Sequence, residues 1–256
     1  MRSLKLLNQH SRRESGHAAE EEECSGGGGG GGGGAANSDL SMILALSKMA
    51  DSDARAIWMQ SVSDGAHSVA PSAASNGYAF LYQLYPYLLG KFAVATRSKN
   101  RCPSIQQMEH YFLRTGGKYL RRTNFPVIHI SKFERFYRWF LSMCAIVAEL
   151  GSIYNDYNLD CLFYGKRTST EILSRRPSGT FILSLTHKLD CLALKYKKSS
   201  NKNNDICTIL LLRRGRDSYA VNKSKATQSL FQIIRPRTYL KYLYTPQMLI
   251  DKKALF

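Results

Sequence analysis

The segment Gly179-Thr-Phe-Ile-Leu-Ser-Leu-Thr-His187 gives the clearest indication of secondary structure in this 256-residue chain. A short apolar run that follows a Pro-Ser-Gly turn is typical of a buried strand, predicted here at 180–185. Three more strands are predicted from similar patterns, at 191–196, 206–213 and 218–221. A helix predicted at 168–173 precedes these strands, and another at 227–234 follows them. A helix, an antiparallel sheet and a second helix in this order indicate an α+β fold.

Upstream of the sheet, apolar residues recur at the spacing of helices rather than of strands. Helices are predicted at 38–62 with a restart at Asp51-Ser-Asp53, from Phe80 onward with an interruption at Pro86, at 105–113 and at 131–150. Ser131 and Glu134 are expected to form a capping box at the start of the last helix. Residues 63–77 are rich in Ser, Ala, Gly and Pro, which predicts a linker.

The first 38 residues are expected to be disordered. They contain Glu20–Glu23 and the polyglycine run Gly26–Gly34, and such a composition cannot bury enough apolar area to offset the loss of backbone entropy. No Gly-Lys-Ser/Thr follows the glycines, so a phosphate-binding loop is not supported. The remaining chain is expected to form three parts: a helical region at 39–100, a helical linker at 101–155 and a sheet-containing domain at 156–256.

Charge is distributed very unevenly along the chain. Residues 1–90 contain 6 Lys and Arg against 9 Asp and Glu, whereas residues 91–256 contain 30 against 10. Such a strongly basic second part favours an anionic partner, which includes nucleic acid, a phosphorylated protein or acidic lipid. The alternative is that these residues form only a solvated surface with no specific partner.

Cysteine spacing, hydropathy and histidine spacing exclude several classes of protein. The 6 cysteines form no Cys-x-x-Cys pair and several lie in apolar runs, which indicates reduced thiols in an intracellular protein. No uncharged apolar run reaches about 18 residues, so no membrane span is expected. The histidines are scattered, and neither paired carboxylates nor a metal-ligand spacing stands out. We therefore predict a protein that is not an enzyme and that needs no cofactor or metal.

Several motifs, taken in order, resemble the linker and Src homology 2 region of STAT transcription factors. They are Phe136-Tyr-Arg-Trp-Phe140, Tyr154-Asn-Asp156, Phe163-Tyr-Gly-Lys166, Gly179–Leu183, Ser229–Ile234 and Leu240–Tyr244 with Ile250-Asp-Lys252 and Phe256. The resemblance covers residues 106–256. It implies a Src homology 2-like domain, in which a central antiparallel sheet is flanked by two helices and binds phosphotyrosine, preceded by a helical linker.

The chain departs from that family at the phosphate site. The position at which the family has a phosphate-binding Arg is occupied by Ser184, and Tyr154 replaces a Trp. A neutral hydroxyl in place of a charged fork loses on the order of 1.5–3 kcal/mol of binding energy. The phosphopeptide-binding residues that the resemblance implies are Lys166, Ser184, Thr186, His187 and Lys195. The coiled coil and DNA-binding barrel of STATs do not fit into the first 100 residues.

The resemblance implies a signalling protein of the cytoplasm and nucleus that is linked to transcription. Its expected partner is a phosphotyrosine-containing or acidic protein, bound by docking or by formation of a homodimer or heterodimer, with DNA contacted only indirectly. Two alternatives remain open. One is a protein-interaction module that ignores phosphate, and the other is a basic nucleic-acid-binding protein, whose affinity would fall steeply with salt.

Overall fold

The computed structural model describes residues 42–65, 77–98, 101–120, 125–198, 205–222 and 224–255. The predicted disordered segment at 1–38 and most of the linker predicted at 63–77 lie outside these residues. The described chain combines helices with sheets whose strands are mainly antiparallel, as the sequence predicts.

The helical region before the main sheet matches the predicted spacing closely. Its helices are α1 at 42–47, α2 at Ser52–Gly65, α3 at Leu81–Thr96, α4 at Ile105–Thr115 and α5 at Ile130–Tyr157. The predicted restart is present, because Asp51 Oδ1 accepts a hydrogen bond from the Ala54 N–H at 2.9 Å. Gly151 has non-helical angles, with φ 46° and ψ −116°, and it kinks α5 directly after the predicted end at residue 150.

Two details of the helix prediction are wrong. The capping box of Ser131 and Glu134 is replaced by a cap from His129, whose Nδ1 accepts the Ser131 N–H at 3.3 Å because the helix begins one residue earlier. The second error concerns α3, which continues through Pro86 instead of being interrupted there. Proline at this position frees only the carbonyl of Tyr82, and this exposed residue lies in the first turn, so water can satisfy that carbonyl.

The main sheet has seven strands, which are β4 at Thr180–Leu185, β5 at Cys191–Lys197, β6 at Ile206–Gly215, β7 at Ser218–Val221, β8 at Thr227–Gln228, β9 at Tyr242–Tyr244 and β10 at Leu249–Asp251. Their order across the sheet is β10-β9-β4-β5-β6-β7-β8. All neighbouring pairs are antiparallel except β4 and β9, which are parallel. This sheet is larger than the predicted one, and a separate three-stranded sheet joins β1 at Tyr78–Phe80, β3 at Pro126–His129 and β2 at Lys118–Tyr119.

Two helices complete the domain, α6 at Lys166–Ser174 and α7 at Leu230–Ile234. The second was predicted to begin at residue 227, but residues 227–228 instead pair with β7. The start of α7 is fixed by a capping box, in which Ser229 Oγ accepts the Gln232 N–H at 3.1 Å and Gln232 Oε1 accepts the Ser229 N–H at 2.9 Å.

Strand register determines what each face of the sheet contacts. Ser184 lies opposite Ala193, and Ile182 lies opposite Lys195, so Ser184 and Lys195 project from the same face, which α6 covers. The other face includes Leu183 and packs towards α5. One hydrophobic core cluster extends from Leu46 to Ile250 and includes side chains from helices on both sides of the sheet.

Candidate functional site

The end of β4 is fixed by two aromatic side chains from the helical region. The Tyr111 hydroxyl of α4 donates to the Leu185 carbonyl at 3.2 Å, and Trp139 Nε1 of α5 donates to the Thr186 carbonyl at 2.8 Å. Their rings stack with centroids 4.6 Å apart. Burial raises the pKa of Tyr111, so its hydroxyl remains a donor. The position of Ser184 is therefore set by the helices as well as by the sheet.

Lys195 is a cation held almost entirely inside the protein. It is 6% exposed, and its Nζ donates to Ser169 Oγ at 3.0 Å. Ser169 is itself fully buried on α6, and its hydroxyl donates to the Gly165 carbonyl at 2.9 Å. Loss of solvent and the nearby charge of Lys166 lower the pKa of Lys195 to about 8. Because Ser169 is neutral, this ammonium lacks the counter-charge that buried cations usually have.

Ser184 is buried beside Lys195 with its hydrogen-bonding capacity unused. It is 0% exposed, and its Oγ has no partner among the described residues. It is the diagonal cross-strand neighbour of Lys195, a relation that places Cα atoms about 7–8 Å apart. An unsatisfied buried hydroxyl costs on the order of 1–3 kcal/mol, and an anion bound here would give it an acceptor.

His110 on α4 lies within electrostatic reach of Lys195 and also of Arg114 and His187. The pKa of His110 on α4 is lowered, first by burial and then by the charges of Arg114, His187 and Lys195. The His110 ring lies next to Gly165, where an added Cβ would be 3.5 Å from its Cε1. We use the name cation cluster for His110, Arg114, Lys166, His187 and Lys195. In the described part of the chain, no carboxylate forms an ion pair with any of them.

The first turn of α6 adds backbone donors to the cation cluster. Gly165 is the N-cap of this helix, and among the described residues no side-chain cap accepts from the free N–H groups that follow it. Uncapped N–H groups at a helix start carry partial positive charge and bind anions readily. Lys166, the first residue of α6, is exposed beside them. Backbone and side chains thus favour the same sign of ligand.

Of the residues predicted from the sequence, Lys166, Ser184, His187 and Lys195 lie at this site. Thr186 is adjacent, but its hydroxyl is used within the β4–β5 turn, where it donates to the Cys191 carbonyl at 3.0 Å and accepts the Lys188 N–H at 3.1 Å. His110 and Arg114 were not predicted. Their spacing of four residues, which places both on one face of a helix, is the only signal that the sequence offers.

Comparisons with known proteins do not assign this chain to a family. No protein-family model matches it, and no curated protein matches it either.

Over the residues that the structure describes, no group of three or more His, Cys, Asp or Glu side chains is arranged to hold a metal ion. Within the same ranges, no helix combines the length and apolarity needed to cross a membrane.

Replacing Ser184 with alanine is expected to stabilise the free protein by about 1 kcal/mol, because an unpartnered buried hydroxyl is removed. The matched control is Ser169→Ala at another fully buried serine. It removes the hydroxyl that accepts the hydrogen bond from Lys195 and should destabilise the protein by about 1–2 kcal/mol. Urea unfolding of both variants gives the comparison. Destabilisation by Ser184→Ala equal to that by Ser169→Ala would contradict this description of the site.

Proposed function

We propose that this chain is a non-enzymatic docking protein that binds a phosphorylated side chain of a protein partner at the cation cluster. One observation carries the proposal: the buried ammonium of Lys195 has only a neutral partner and lies diagonally opposite the unpartnered hydroxyl of Ser184. A bound anion would supply the counter-charge that Lys195 lacks and the hydrogen-bond acceptor that Ser184 lacks. The resemblance to STAT proteins favours phosphotyrosine as that anion.

The chemistry of a phosphate monoester suits this arrangement. Such a group carries about −1.5 to −2 charges at neutral pH and three strong acceptor oxygens. The cluster offers the separate charges of Lys166, Lys195 and Arg114 and the N–H groups of α6, but no arginine at position 184. The two lysines attract phosphate as point charges without the geometric match of a guanidinium. We therefore infer lower affinity than a site with arginine at position 184 would have, with docking in signal transduction in the cytoplasm and nucleus as the role.

The proposal is tested by titrating the protein with a degenerate phosphotyrosine peptide library and with the same library unphosphorylated. We expect phosphorylated peptides to bind at least about tenfold more tightly, because each charge-assisted hydrogen bond contributes about 1.5–3 kcal/mol. Equal binding of both libraries would contradict phosphate recognition and would favour the phosphate-independent interaction module. Fluorescence anisotropy at fixed ionic strength measures both.

Two further measurements separate the remaining alternatives. Ser184→Arg should strengthen phosphopeptide binding beyond that of the unmodified protein, provided that circular dichroism shows an intact fold. If the unmodified protein ignores phosphate and only the variant binds it, the site has lost the proposed function. Retention of an oligonucleotide duplex with an affinity that falls steeply with salt would favour nucleic-acid binding instead.

A further inference from the structure

A cleft separate from the cation cluster lies beside α5, between the end of α3 and the β6–β7 turn. Its volume is about 670 Å³, a size typical of sites for small organic ligands. The small side chains of the alanines at positions 95, 145 and 148 form the apolar part of its wall. Its charged lining residues are Arg97, Glu149, Arg213, Arg216 and Asp217.

The acidic groups of the cleft are already used by the protein. Glu149 Oε1 accepts hydrogen bonds from Arg213 Nε at 2.8 Å, and its Oε2 accepts one from the Tyr219 hydroxyl at 2.6 Å. Asp217 Oδ1 lies 3.5 Å from the backbone nitrogen of Leu230, at the start of α7. Glu149 and Arg213 neutralise each other, which leaves Arg97 and Arg216 against Asp217, so the lining of the cleft keeps a net charge of +1.

That excess comes from two arginines on separate elements. Arg97 ends α3 and Arg216 lies in the β6–β7 turn, and both are exposed. Neither guanidinium group forms a hydrogen bond or an ion pair with another described residue. Arg97 has φ 56°, a left-handed conformation at a helix end that glycine and asparagine normally favour. An arginine held in this position lines the cleft with a planar fork suited to oxyanions.

We propose that this cleft is a second anion site, separate from the cation cluster, which binds a ligand with two or more carboxylates through Arg97 and Arg216. The alanine wall accommodates the carbon skeleton, and the two guanidinium forks each bind one carboxylate. The carboxylates belong either to a small free acid or to adjacent glutamates of a peptide, and both present the same chemistry to the arginines.

Citrate and a tetraglutamate peptide are the two probes, each titrated into the full chain while backbone amide shifts are followed by NMR. We expect saturable binding with shifts at the ends of α3 and β6. Arg97→Ala and Arg216→Ala should each weaken it by about tenfold or more. Ala148→Trp, which fills the cleft without changing charge, should do the same. Tighter binding of citrate than of the peptide identifies a free acid as the ligand, and the reverse identifies a peptide.

Two controls keep this test independent of the proposed docking function. Arg214→Ala removes an equal charge from the neighbouring exposed residue, which does not line the cleft, and should change the affinity by less than about twofold. Lys195→Met should likewise leave it unchanged. The inference is overturned if neither probe saturates below about 20 mM, or if Arg214→Ala weakens binding as much as Arg216→Ala does.

Discussion

Replacing Lys195 with methionine is expected to weaken phosphopeptide binding by about 30- to 100-fold while stabilising the free protein. The affinity falls because one charge-assisted hydrogen bond in a desolvated site contributes about 2–3 kcal/mol. The stability rises by about 1–2 kcal/mol because methionine places no charge in the interior and is not repelled by Lys166. Peptide titration and urea unfolding of the same variant measure both effects. A single change with opposite effects on binding and stability marks a residue retained for function.

Lys197→Met is the matched control on the same strand. Lys197 is half-buried, and its Nζ donates to the carbonyls of Ser174 and Arg176, each at 2.8 Å. Loss of the Lys197 ammonium leaves these two carbonyls at the end of α6 without their donor. The variant should therefore be less stable by about 1–2 kcal/mol, with little change in its affinity for the peptide. If Lys195→Met also destabilised the fold, or if both variants bound peptide equally well, Lys195 would be only a structural residue.

The lowered pKa of Lys195 makes the same prediction testable by pH. Phosphotyrosine has its second pKa near 6, so the ligand charge is constant above pH 7. Affinity should fall about tenfold between pH 7 and pH 9, as Lys195 with a pKa of about 8 loses its proton. The stability of the free protein should change in the opposite direction. Since the unfolded chain holds this proton more tightly, stability rises as pH increases from about 8 towards the ordinary lysine pKa. Lys195→Met should abolish both trends.

Replacing Glu149 with alanine is expected to destabilise the protein by about 3–4 kcal/mol. Its carboxylate, 10% exposed, bonds the guanidinium of Arg213 at 2.8 Å and the hydroxyl of Tyr219 at 2.6 Å. Without Glu149, the guanidinium of Arg213 keeps the longer contact of 3.4 Å to Asp190, and the hydroxyl of Tyr219, which is 1% exposed, loses its carboxylate acceptor. Removal of one member of a buried pair costs far more than the pair contributes. Urea unfolding measures the loss.

Glu134→Ala is the corresponding control on the same helix. Glu134 pairs with Arg138 one turn later at 2.7 Å, and the side chain of Arg138 is 59% exposed. Ion pairs of this kind contribute about 0.3–0.5 kcal/mol. If Glu149→Ala cost no more than Glu134→Ala, the buried network would not join α5 to the sheet as the distances indicate.

The sequence predicts strands well where the apolar run is long. Strands β4 to β7 each have at least four residues with a clear pattern, and the predicted bounds are close to those observed. Strands β8 to β10 have two or three residues each, too few for any periodicity to appear. Their positions depend on partners distant in sequence, such as β4 for β9, and single-sequence patterns carry no information on such pairing.

The candidate site was predicted only where the motif resemblance extends. Lys166 lies within a matching motif and Ser184 directly follows another, and His187 and Lys195 were predicted because they lie on the next loop and strand. His110 and Arg114 lie in the part that the resemblance treats as a linker. The near-complete burial of Lys195 was also not foreseeable. It depends on Ser169, which lies 26 positions earlier in the chain, and no local pattern shows that a strand lysine will lie beneath a helix.

The parallel pairing of β4 with β9 has a consequence for biosynthesis. Phe181 of β4 pairs with Leu243 on one side and with Tyr196 on the other, so one edge of β4 stays unpaired until residues 242–244 have been translated. Unpaired apolar borders recruit other chains, and contacts this distant in sequence form slowly. The nascent polypeptide is therefore prone to misassembly until β9 has been synthesised, and a chaperone would protect it most during that time.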